Sequence, residues 1–426
     1  MGKASGYRCS VCERSFGLSE VAYVCPHDGG NLDVLIDFDA IRRAGPASIR
    51  QSPETSIWRY LPLLPVDDPG HAGTALHAVG WTPLLVSKRL AGELGLRHLW
   101  LKDDGRNPTA SFKDRASAVV VARAQEIRAE VVITASTGNA GAALAGMAAA
   151  AGRPAVILAP KTAPPAKVAQ LLVFGAKVVL VDGTYDQAFD LTLEASKAFG
   201  WYCRNTGYNP FTAEGKKTAA FEICEQMTMA MPMGNVGSRR GVPPQWDSPD
   251  AVFVSVGDGN IISGMHKGFR DLKDLGWIER IPRLYGIQST GSAAIATAFD
   301  RGTETIEPVQ ANTLADSIAV DLPRDGLRGL RAATRTGGAY LTVTDAEILA
   351  AIAALGRREA VFAEPAGATA YAGLVKAVAG GQVRPDEKIV VVVTGSGLKD
   401  VRAAMQAVGE PTVISPSLEA LKRVLH

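Results

Sequence analysis

Residues 131–151 read VVITASTGNAGAALAGMAAAA, and this stretch decides the fold class. Its first residues are β-branched and favour a strand, whereas its alanine-rich end, residues 142–151, favours a helix. A turn of hydroxyl residues and glycine joins the two. A strand followed by a turn and a helix is the repeating unit of proteins whose parallel sheets are covered by helices.

The same alternation continues in both directions along the chain. Short β-branched runs lie at residues 155–158, 177–181, 251–255, 283–288 and 388–393, and helical stretches rich in alanine separate them. Strands that alternate with helices indicate crossover connections between parallel strands. The sequence therefore predicts an α/β fold with largely parallel sheets.

The composition favours small-molecule chemistry. The 426 residues include 45 basic and 43 acidic side chains, so no broad field is available to hold nucleic acid or an anionic membrane. With 47% apolar residues the chain can bury the cores of two or three domains. It lacks an apolar signal core at its start, and its apolar runs are shorter than a membrane span. We therefore expect a cytoplasmic protein that binds neither nucleic acid nor membrane.

Residues 1–36 have the layout of a small zinc ribbon. Its first knuckle has two cysteines, whereas the second has one cysteine and an aspartate in the place of the other. The candidate ligands are Cys9, Cys12, Cys25 and Asp28, with His27 as an alternative to the aspartate. Three thiolates and one further ligand match a known type of tetrahedral structural zinc site. A ribbon that has lost its metal is the alternative interpretation.

The rest of the chain divides at a segment rich in Pro, Gly and Asp. We interpret this segment, residues 37–80, as an extended linker that packs over the body of the protein, residues 81–426. Within the body, residues 231–249 are rich in Gly, Pro and Met and indicate an irregular surface insertion. The two remaining cysteines, Cys203 and Cys224, stand apart and are expected to be small buried residues.

A single lysine lies just inside a predicted helix. Residues 107–115 read NPTASFKDR, a polar turn that opens a helix, and Lys113 lies in its first turn. The positive end of the helix dipole disfavours a second cation there and lowers the pKa of the lysine. A lysine with a lowered pKa is the kind of nucleophile that forms a Schiff base with a carbonyl compound. Taken alone, the same pattern also fits a solvated surface lysine.

Three further polar turns follow predicted strands. The first contains Ser136, Thr137, Gly138 and Asn139, the second Gly257, Asp258, Gly259 and Asn260, and the third Thr394. Backbone N–H groups at such turns hold carboxylate or phosphate, and ligands of α/β proteins collect at the carboxyl ends of strands. A hydroxyl that caps a helix, or an ordinary loop, is the alternative in each case.

Together and in this order, the four motifs resemble the pyridoxal-phosphate enzymes of fold type II, and most closely the threonine synthases. The resemblance spans residues 80–400 and includes Trp81-Thr82-Pro83-Leu84 and Glu364-Pro365-Ala366. It implies two parallel-sheet α/β domains of the tryptophan synthase β-like architecture, with residues 115–215 forming the smaller one. A small zinc-ribbon-like segment at the N-terminus and a homodimer are also typical of such relatives.

The resemblance implies a role for each motif residue. Lys113 is the Schiff-base lysine and moves protons at the substrate carbons. Asn139 binds the 3′ oxygen of pyridoxal phosphate, Thr394 faces its pyridine nitrogen, and Gly257, Asp258, Gly259 and Asn260 hold its phosphate. The turn of Ser136, Thr137 and Gly138 receives the α-carboxylate of an amino-acid substrate.

The implied reaction is that of a lyase, in which O-phosphohomoserine and water give L-threonine and phosphate. The chain departs from the family where a basic residue usually grips the substrate phosphate, since Phe211 and Thr212 occupy that neighbourhood. Lys216, Lys217 and Lys161 are the candidate replacements. The alternative reaction is a β-elimination or β-replacement on serine, threonine or an O-phosphoserine-like amino acid, as in dehydratases, ammonia-lyases and cysteate synthase-like enzymes. A non-catalytic metabolite-binding protein is the alternative from another class.

Overall fold

The computed structural model describes residues 4–230 and 245–425. The strands are β1 (Ala4–Cys9), β2 (Ser15–Phe16), β3 (Leu32–Ile36), β4 (Leu84–Val86), β5 (His98–Asp103), β6 (Val132–Ala135), β7 (Ala155–Pro160), β8 (Lys177–Val181), β9 (Tyr202–Cys203), β10 (Ala251–Ser255), β11 (Arg283–Ser289), β12 (Ala339–Val343) and β13 (Lys388–Val393). The surface insertion predicted at 231–249 lies outside the described residues, apart from 245–249.

The helices surround these strands. They are α1 (Asp39–Ala44), α2 (Ala47–Arg50), α3 (Lys88–Glu93), α4 (Lys113–Glu126), α5 (Asn139–Ala150), α6 (Pro165–Val173), α7 (Tyr185–Phe199), α8 (Phe211–Lys216), α9 (Thr218–Met229), α10 (Asn260–Asp274), α11 (Ala294–Asp300), α12 (Gly326–Thr334), α13 (Asp345–Glu359), α14 (Pro365–Ala379), α15 (Val401–Val408) and α16 (Leu418–Leu425). Over the described residues, none of them has both the length and the apolar character needed to cross a membrane.

Two sheets of mainly parallel strands form the body, which confirms the predicted α/β fold. The larger has the order β12-β11-β10-β13-β5-β4, in which β4 alone runs antiparallel to its neighbour. The smaller has the order β8-β7-β6-β9 and is parallel throughout. Every predicted β-branched run forms a strand, whereas β4, β5, β9 and β12 were not predicted. The motif turns follow β6, β10 and β13, whose carboxyl ends open on a common space.

The N-terminal residues form a third sheet, which is antiparallel and has the order β2-β1-β3. Its Tyr7 is buried and meets Phe211 of the body edge to face, at 6.5 Å between ring centroids. Residues 37–80, predicted to be an extended linker, instead contain α1, α2 and a 3-10 helix, Ile57–Leu63. The side chains of Leu63 and Leu64 are fully buried, so this segment contributes to the apolar core. The division into domains stays a prediction.

A buried ion-pair network holds the start of α4 in place. Arg115 donates to both oxygens of Asp104 at 2.6 and 3.0 Å and to both oxygens of Glu222 at 2.5 and 2.8 Å. Lys102 of β5 donates to Glu222 at 2.6 Å, and the backbone N–H of Trp81 donates to the same carboxylate at 2.8 Å. Burial lowers the pKa of Arg115, but the two carboxylates outweigh burial and raise it overall. The network therefore ties α4 to β5, α9 and the segment before β4.

Replacing Glu222 by Gln tests this network. The substitution leaves Arg115 and Lys102 buried with one carboxylate fewer, and breaking a buried pair on one side costs roughly 3–5 kcal/mol. We expect the midpoint of urea unfolding to fall accordingly. The matched control is Glu304→Gln, which removes the exposed carboxylate of a pair with the half-buried Arg331 and should cost less than about 1 kcal/mol. Equal losses in the two variants would contradict the structural role of the network.

Candidate active site

One cavity of about 620 Å³ brings the four motifs together at the carboxyl ends of β6, β10 and β13. The predicted residues that line it are Lys113, Ser136, Thr137, Gly138, Asn139, Gly257, Asp258, Gly259, Asn260 and Thr394. These residues lie up to 281 positions apart in the sequence, as Lys113 and Thr394 illustrate. Their convergence on one concave space makes this cavity the candidate active site.

Lys113 is the first residue of α4, and the turn before it is tightly fixed. Asp114 accepts the backbone N–H of Thr109 at 2.6 Å and also its hydroxyl. Ala110 has φ +63°, a left-handed conformation that costs a residue with a Cβ roughly 1 kcal/mol. Lys113 is half-buried, and its Nζ has no hydrogen-bond partner among the described residues. Burial, followed by the charge of Arg204, lowers the pKa of Lys113 against the opposing effect of Asp258 and Glu364.

The end of β13 is joined directly to this turn. The N–H of Phe112 donates to the carbonyl oxygen of Thr394 at 2.8 Å, and the N–H of Ser396 donates to that of Ala110 at 3.1 Å. Thr394 itself is buried against the cavity, with 6% of its surface exposed. The backbone pairing therefore fixes the hydroxyl of Thr394 and Lys113 on the same wall.

The turn after β6 exposes the start of α5. Gly138 is the N-cap residue, and no side chain caps the helix, so the alternative in which Ser136 or Thr137 is the cap is wrong. The free N–H groups and the helix dipole make this turn suited to an anion. The Nδ2 of Asn139 donates to Glu364 at 2.7 Å and to Ser317 at 3.3 Å. Asn139 is thereby oriented by side chains from two other elements.

The glycine loop after β10 forms a second uncapped helix start. Gly259 has φ +88°, and a Cβ there would lie 2.5 Å from the carbonyl oxygen of Asp325, so only glycine fits. Asn260, the first residue of α10, donates to the Asp325 carboxylate at 2.5 Å. Asp258 accepts the backbone N–H of Arg324 at 3.2 Å, and burial raises the pKa of its carboxyl group. A raised pKa favours the neutral acid, which lessens the repulsion of an anion in the loop.

Two buried cations that the sequence did not single out as a pair also line the cavity. Arg204 is fully buried and donates to Ser117 at 3.2 Å and Thr206 at 2.6 Å, while its Nη2 has no partner among the described residues. Lys216 is fully buried and donates to the side-chain oxygen of Asn260. Burial lowers the pKa of Arg204 to about 10 and that of Lys216 well below its usual value.

Neither of these cations forms a salt bridge within the described residues. Burying an unpaired charge costs several kcal/mol, so buried cations normally have an anionic partner. The other candidate lysines are paired: Lys217 contacts Glu214 at 2.7 Å, and the exposed Lys161 contacts Asp182 at 2.6 Å. Neither Lys217 nor Lys161 lines the cavity. Arg204 and Lys216 are therefore suited to bind an anion in the cavity.

A separate cluster lies in the N-terminal sheet. The ligand atoms of Cys9, Cys12, Cys25 and Asp28 all lie within 4.8 Å of one another. The Cys12 and Cys25 sulfurs are 3.7 Å apart, and the Cys9 sulfur is 3.3 Å from an Asp28 oxygen. A zinc ion with bonds of about 2.3 Å to sulfur and 2.0 Å to oxygen places its ligand atoms at roughly these separations. His27 stacks on Phe16 instead and lies outside this cluster.

Comparison with known proteins agrees with this geometry. Residues 75–395 match the model of the family described as pyridoxal-phosphate dependent enzyme. The structure of the processed form of threonine deaminase isoform 2 from Solanum lycopersicum superimposes with a TM-score of 0.64 at 21% identity, covering 87% of this chain and 89% of that one. Fold and site together define a pyridoxal-phosphate-dependent protein of fold type II.

Sequence relatives narrow the class. The threonine synthase of Methanocaldococcus jannaschii is 38% identical over 98% of this chain and 98% of its own. The threonine synthase of Methanosarcina acetivorans is 36% identical, with the same coverage of both chains. The chain belongs to the threonine synthase family of pyridoxal-phosphate-dependent enzymes.

Glu364 should make the stability of the cofactor-free protein depend on pH. Burial raises its pKa from 4.5 to about 7, against the opposing effect of Lys399, Asn139 and Lys113. The folded state keeps this proton where the unfolded chain has lost it, so the stabilisation is complete below about pH 4.5 and is lost as the pH rises to 7. We expect Glu364→Gln to remove roughly 3 kcal/mol of this pH dependence, measured by urea unfolding at pH 5 and pH 7.5. If the wild type and Glu364→Gln show the same dependence of unfolding free energy on pH, Glu364 does not have the raised pKa.

Proposed function

We propose that this protein is a lyase that converts O-phosphohomoserine and water to L-threonine and phosphate, with pyridoxal phosphate bound in the 620 Å³ cavity. The observation that carries the proposal is the pair of buried, unpaired cations, Arg204 and Lys216, beside a lysine of lowered pKa. A phosphorylated amino acid supplies the missing negative charge. The names of the two methanogen relatives agree with this reaction.

The cavity has the groups that pyridoxal phosphate needs. Lys113 would hold the cofactor covalently through its Nζ, which has no hydrogen-bond partner in the described residues. The loop Gly257, Asp258, Gly259 and Asn260 would take its phosphate at the uncapped start of α10. Asn139 would bind the 3′ oxygen and Thr394 would face the pyridine nitrogen. When bound, the cofactor withdraws electrons from the substrate carbons and so makes their protons acidic.

The substrate would be held at both of its ends. The N–H groups of the turn at Ser136, Thr137 and Gly138 would bind its α-carboxylate. Arg204, through Nη2, and Lys216, through Nζ, would bind its phosphoryl group with charge-assisted hydrogen bonds. Because both ends are fixed, the Cα–Cβ–Cγ chain lies extended across the cavity, next to Lys113.

Lys113 would then move protons at the substrate carbons. Its lowered pKa keeps a fraction of the amine neutral, which would allow it to take one proton from Cα and one from Cβ and to return one to Cγ and one to Cα. The phosphate leaves from Cγ with its negative charge held by Arg204 and Lys216. Water then adds at Cβ to give the hydroxyl group of threonine. The two cations thus serve both recognition and departure of the phosphate.

Substitution of the cations tests this proposal. We expect Arg204→Gln and Lys216→Gln each to lower kcat/KM for O-phosphohomoserine by about 10- to 150-fold, since a hydrogen bond to a charged group contributes roughly 1.5–3 kcal/mol. Lys161→Gln, which changes an exposed lysine outside the cavity, is the matched control and should retain activity. Phosphate and threonine are measured together in each assay.

Two results would count against the proposal. If the wild type releases no phosphate from O-phosphohomoserine but does so from O-phosphoserine, the β-elimination or β-replacement alternative replaces it. Loss of the visible absorbance of the bound cofactor in Lys113→Ala is expected in either case. If wild-type protein binds no pyridoxal phosphate, the assignment of the site fails as a whole.

We also propose that the cluster of Cys9, Cys12, Cys25 and Asp28 binds a structural zinc ion. We expect about one zinc per chain in the purified protein by elemental analysis. Cys12→Ala should lose the metal, whereas His27→Ala should keep it because His27 lies outside the cluster. A protein without zinc, or one that loses zinc on substitution of His27, would overturn this assignment. The homodimer stays a prediction from the family resemblance, and the cytoplasmic location stays a prediction from the composition and the apolar runs of the sequence.

A further inference from the structure

Asn31 lies where the two cysteine knuckles of the N-terminal sheet meet. Its carbonyl oxygen accepts the backbone N–H of Ser10, which lies between Cys9 and Cys12. Its backbone also forms an antiparallel bridge with Val24, the residue before Cys25. The position of Asn31 is therefore set by both knuckles.

The side chain of Asn31 leaves the ribbon and enters the body. Its Nδ2 donates to the carbonyl oxygen of Gly207 and, at 3.1 Å, to that of Arg324. These two carbonyls belong to two loops beside the active-site cavity, one after β9 and one before α12, and Thr206 and Arg324 of these loops line it. Gly207 has φ +74°, and a Cβ there would lie 2.6 Å from the Cβ of Arg324, so the loops touch at this point. The side-chain amide of Asn31 thus bridges the two loops.

The Arg324 loop leads directly to the glycine loop of the cavity. The N–H of Arg324 donates to the side chain of Asp258 at 3.2 Å, and the N–H of Asp325 donates to the Asp258 carbonyl oxygen at 2.9 Å. The Asp325 carboxylate accepts a hydrogen bond from Asn260 at 2.5 Å. A shift of this loop would therefore move the residues proposed to hold the cofactor phosphate.

The Gly207 loop leads in the same way to the cation pair. The hydroxyl of Thr206, the residue before Gly207, accepts a hydrogen bond from Nη1 of Arg204 at 2.6 Å. Thr206 and Arg204 both line the cavity, and so does Arg324 of the other loop. The hydrogen bonds of Asn31 are therefore one residue away from the contacts that orient both anion-binding parts of the site.

We propose that Asn31 is a positioning residue through which the cysteine ribbon holds these two cavity-lining loops in fixed positions against each other. The ribbon has other attachments that do not bridge these loops. Tyr23 accepts the N–H of Cys203 at 3.0 Å, Arg328 donates to the carbonyl oxygen of Leu32 at 3.1 Å, and Arg331 donates to that of Ser10. Because these attachments do not involve Asn31, we expect its substitution to leave the ribbon docked and the chain folded.

Hydrogen exchange in the full-length protein with bound pyridoxal phosphate tests the inference. Asn31→Asp keeps the shape of the side chain but removes both donors, and Asn31→Ala removes them without adding a charge. We expect both variants to speed amide exchange by about 2- to 12-fold in peptides covering residues 204–209 and 322–326, since each loop loses one hydrogen bond, which contributes roughly that factor. Arg331→Gln removes a ribbon attachment away from these loops and should leave both peptides unchanged.

Two outcomes would overturn the inference. One is wild-type exchange in both peptides of the Asn31 variants, and the other is an equal increase in Arg331→Gln, which would mean that any loosening of the ribbon has the same effect. A kinetic measurement is also possible, and it rests on the proposed function. Asn31→Asp should raise KM for O-phosphohomoserine more than it lowers kcat, because the two loops next to the phosphate-binding residues are misplaced. The exchange result needs no substrate, so it stands even if O-phosphohomoserine is not turned over.

Discussion

The guanidinium group of Arg115 lies between the buried carboxylates of Asp104 and Glu222, and the geometry of the site depends on this contact. It fixes the first turn of α4 against β5 and α9, two residues after Lys113. An ion pair without solvent is costly unless its hydrogen bonds are complete, and here the guanidinium binds both carboxylates in bidentate fashion. The ion pairs therefore hold the first turn of α4, which begins with Lys113, next to the end of β13.

The cavity next to this ion-pair network differs from it, because its buried cations have no carboxylate partner among the described residues. Buried cations elsewhere in the body are neutralised, as Lys217 and Lys267 are by Glu214 and Asp271. Arg204 and Lys216 have no such partner among the described residues. Burial and the charge of Arg204 lower the pKa of Lys113, and burial with the charges of Lys113 and Arg204 lowers that of Lys216. This excess of positive charge would favour the binding of an anionic substrate. It would also favour the neutral form of Lys113. The N-terminal ribbon, through Asn31, would keep the two halves of this site aligned.

Much of this arrangement could be predicted from the sequence. Turns such as residues 136–139 and 257–260 follow strongly β-branched strands, and parallel topology places such turns at one edge of the sheets. Arg204 was missed, because β9 before it has only two residues, and Lys216 was only one of three candidate lysines, because α8 is buried on all sides and shows no amphipathic period. Residues 37–80 looked extended for a similar reason: their helices are short and interrupted by Pro and Gly. The bridging role of Asn31 depends on contacts 176 and 293 positions away, which no local pattern reveals.

The most direct test is a crystal structure of the protein with pyridoxal phosphate and a phosphonate analogue of O-phosphohomoserine. We expect phosphonate oxygens at about 2.7–2.9 Å from Nη2 of Arg204 and from Nζ of Lys216. The carboxylate of the analogue should lie at the turn of Ser136, Thr137 and Gly138. A phosphonate bound elsewhere in the cavity, with both cations still unpaired, would contradict the central claim that their missing partner is the phosphate of the substrate.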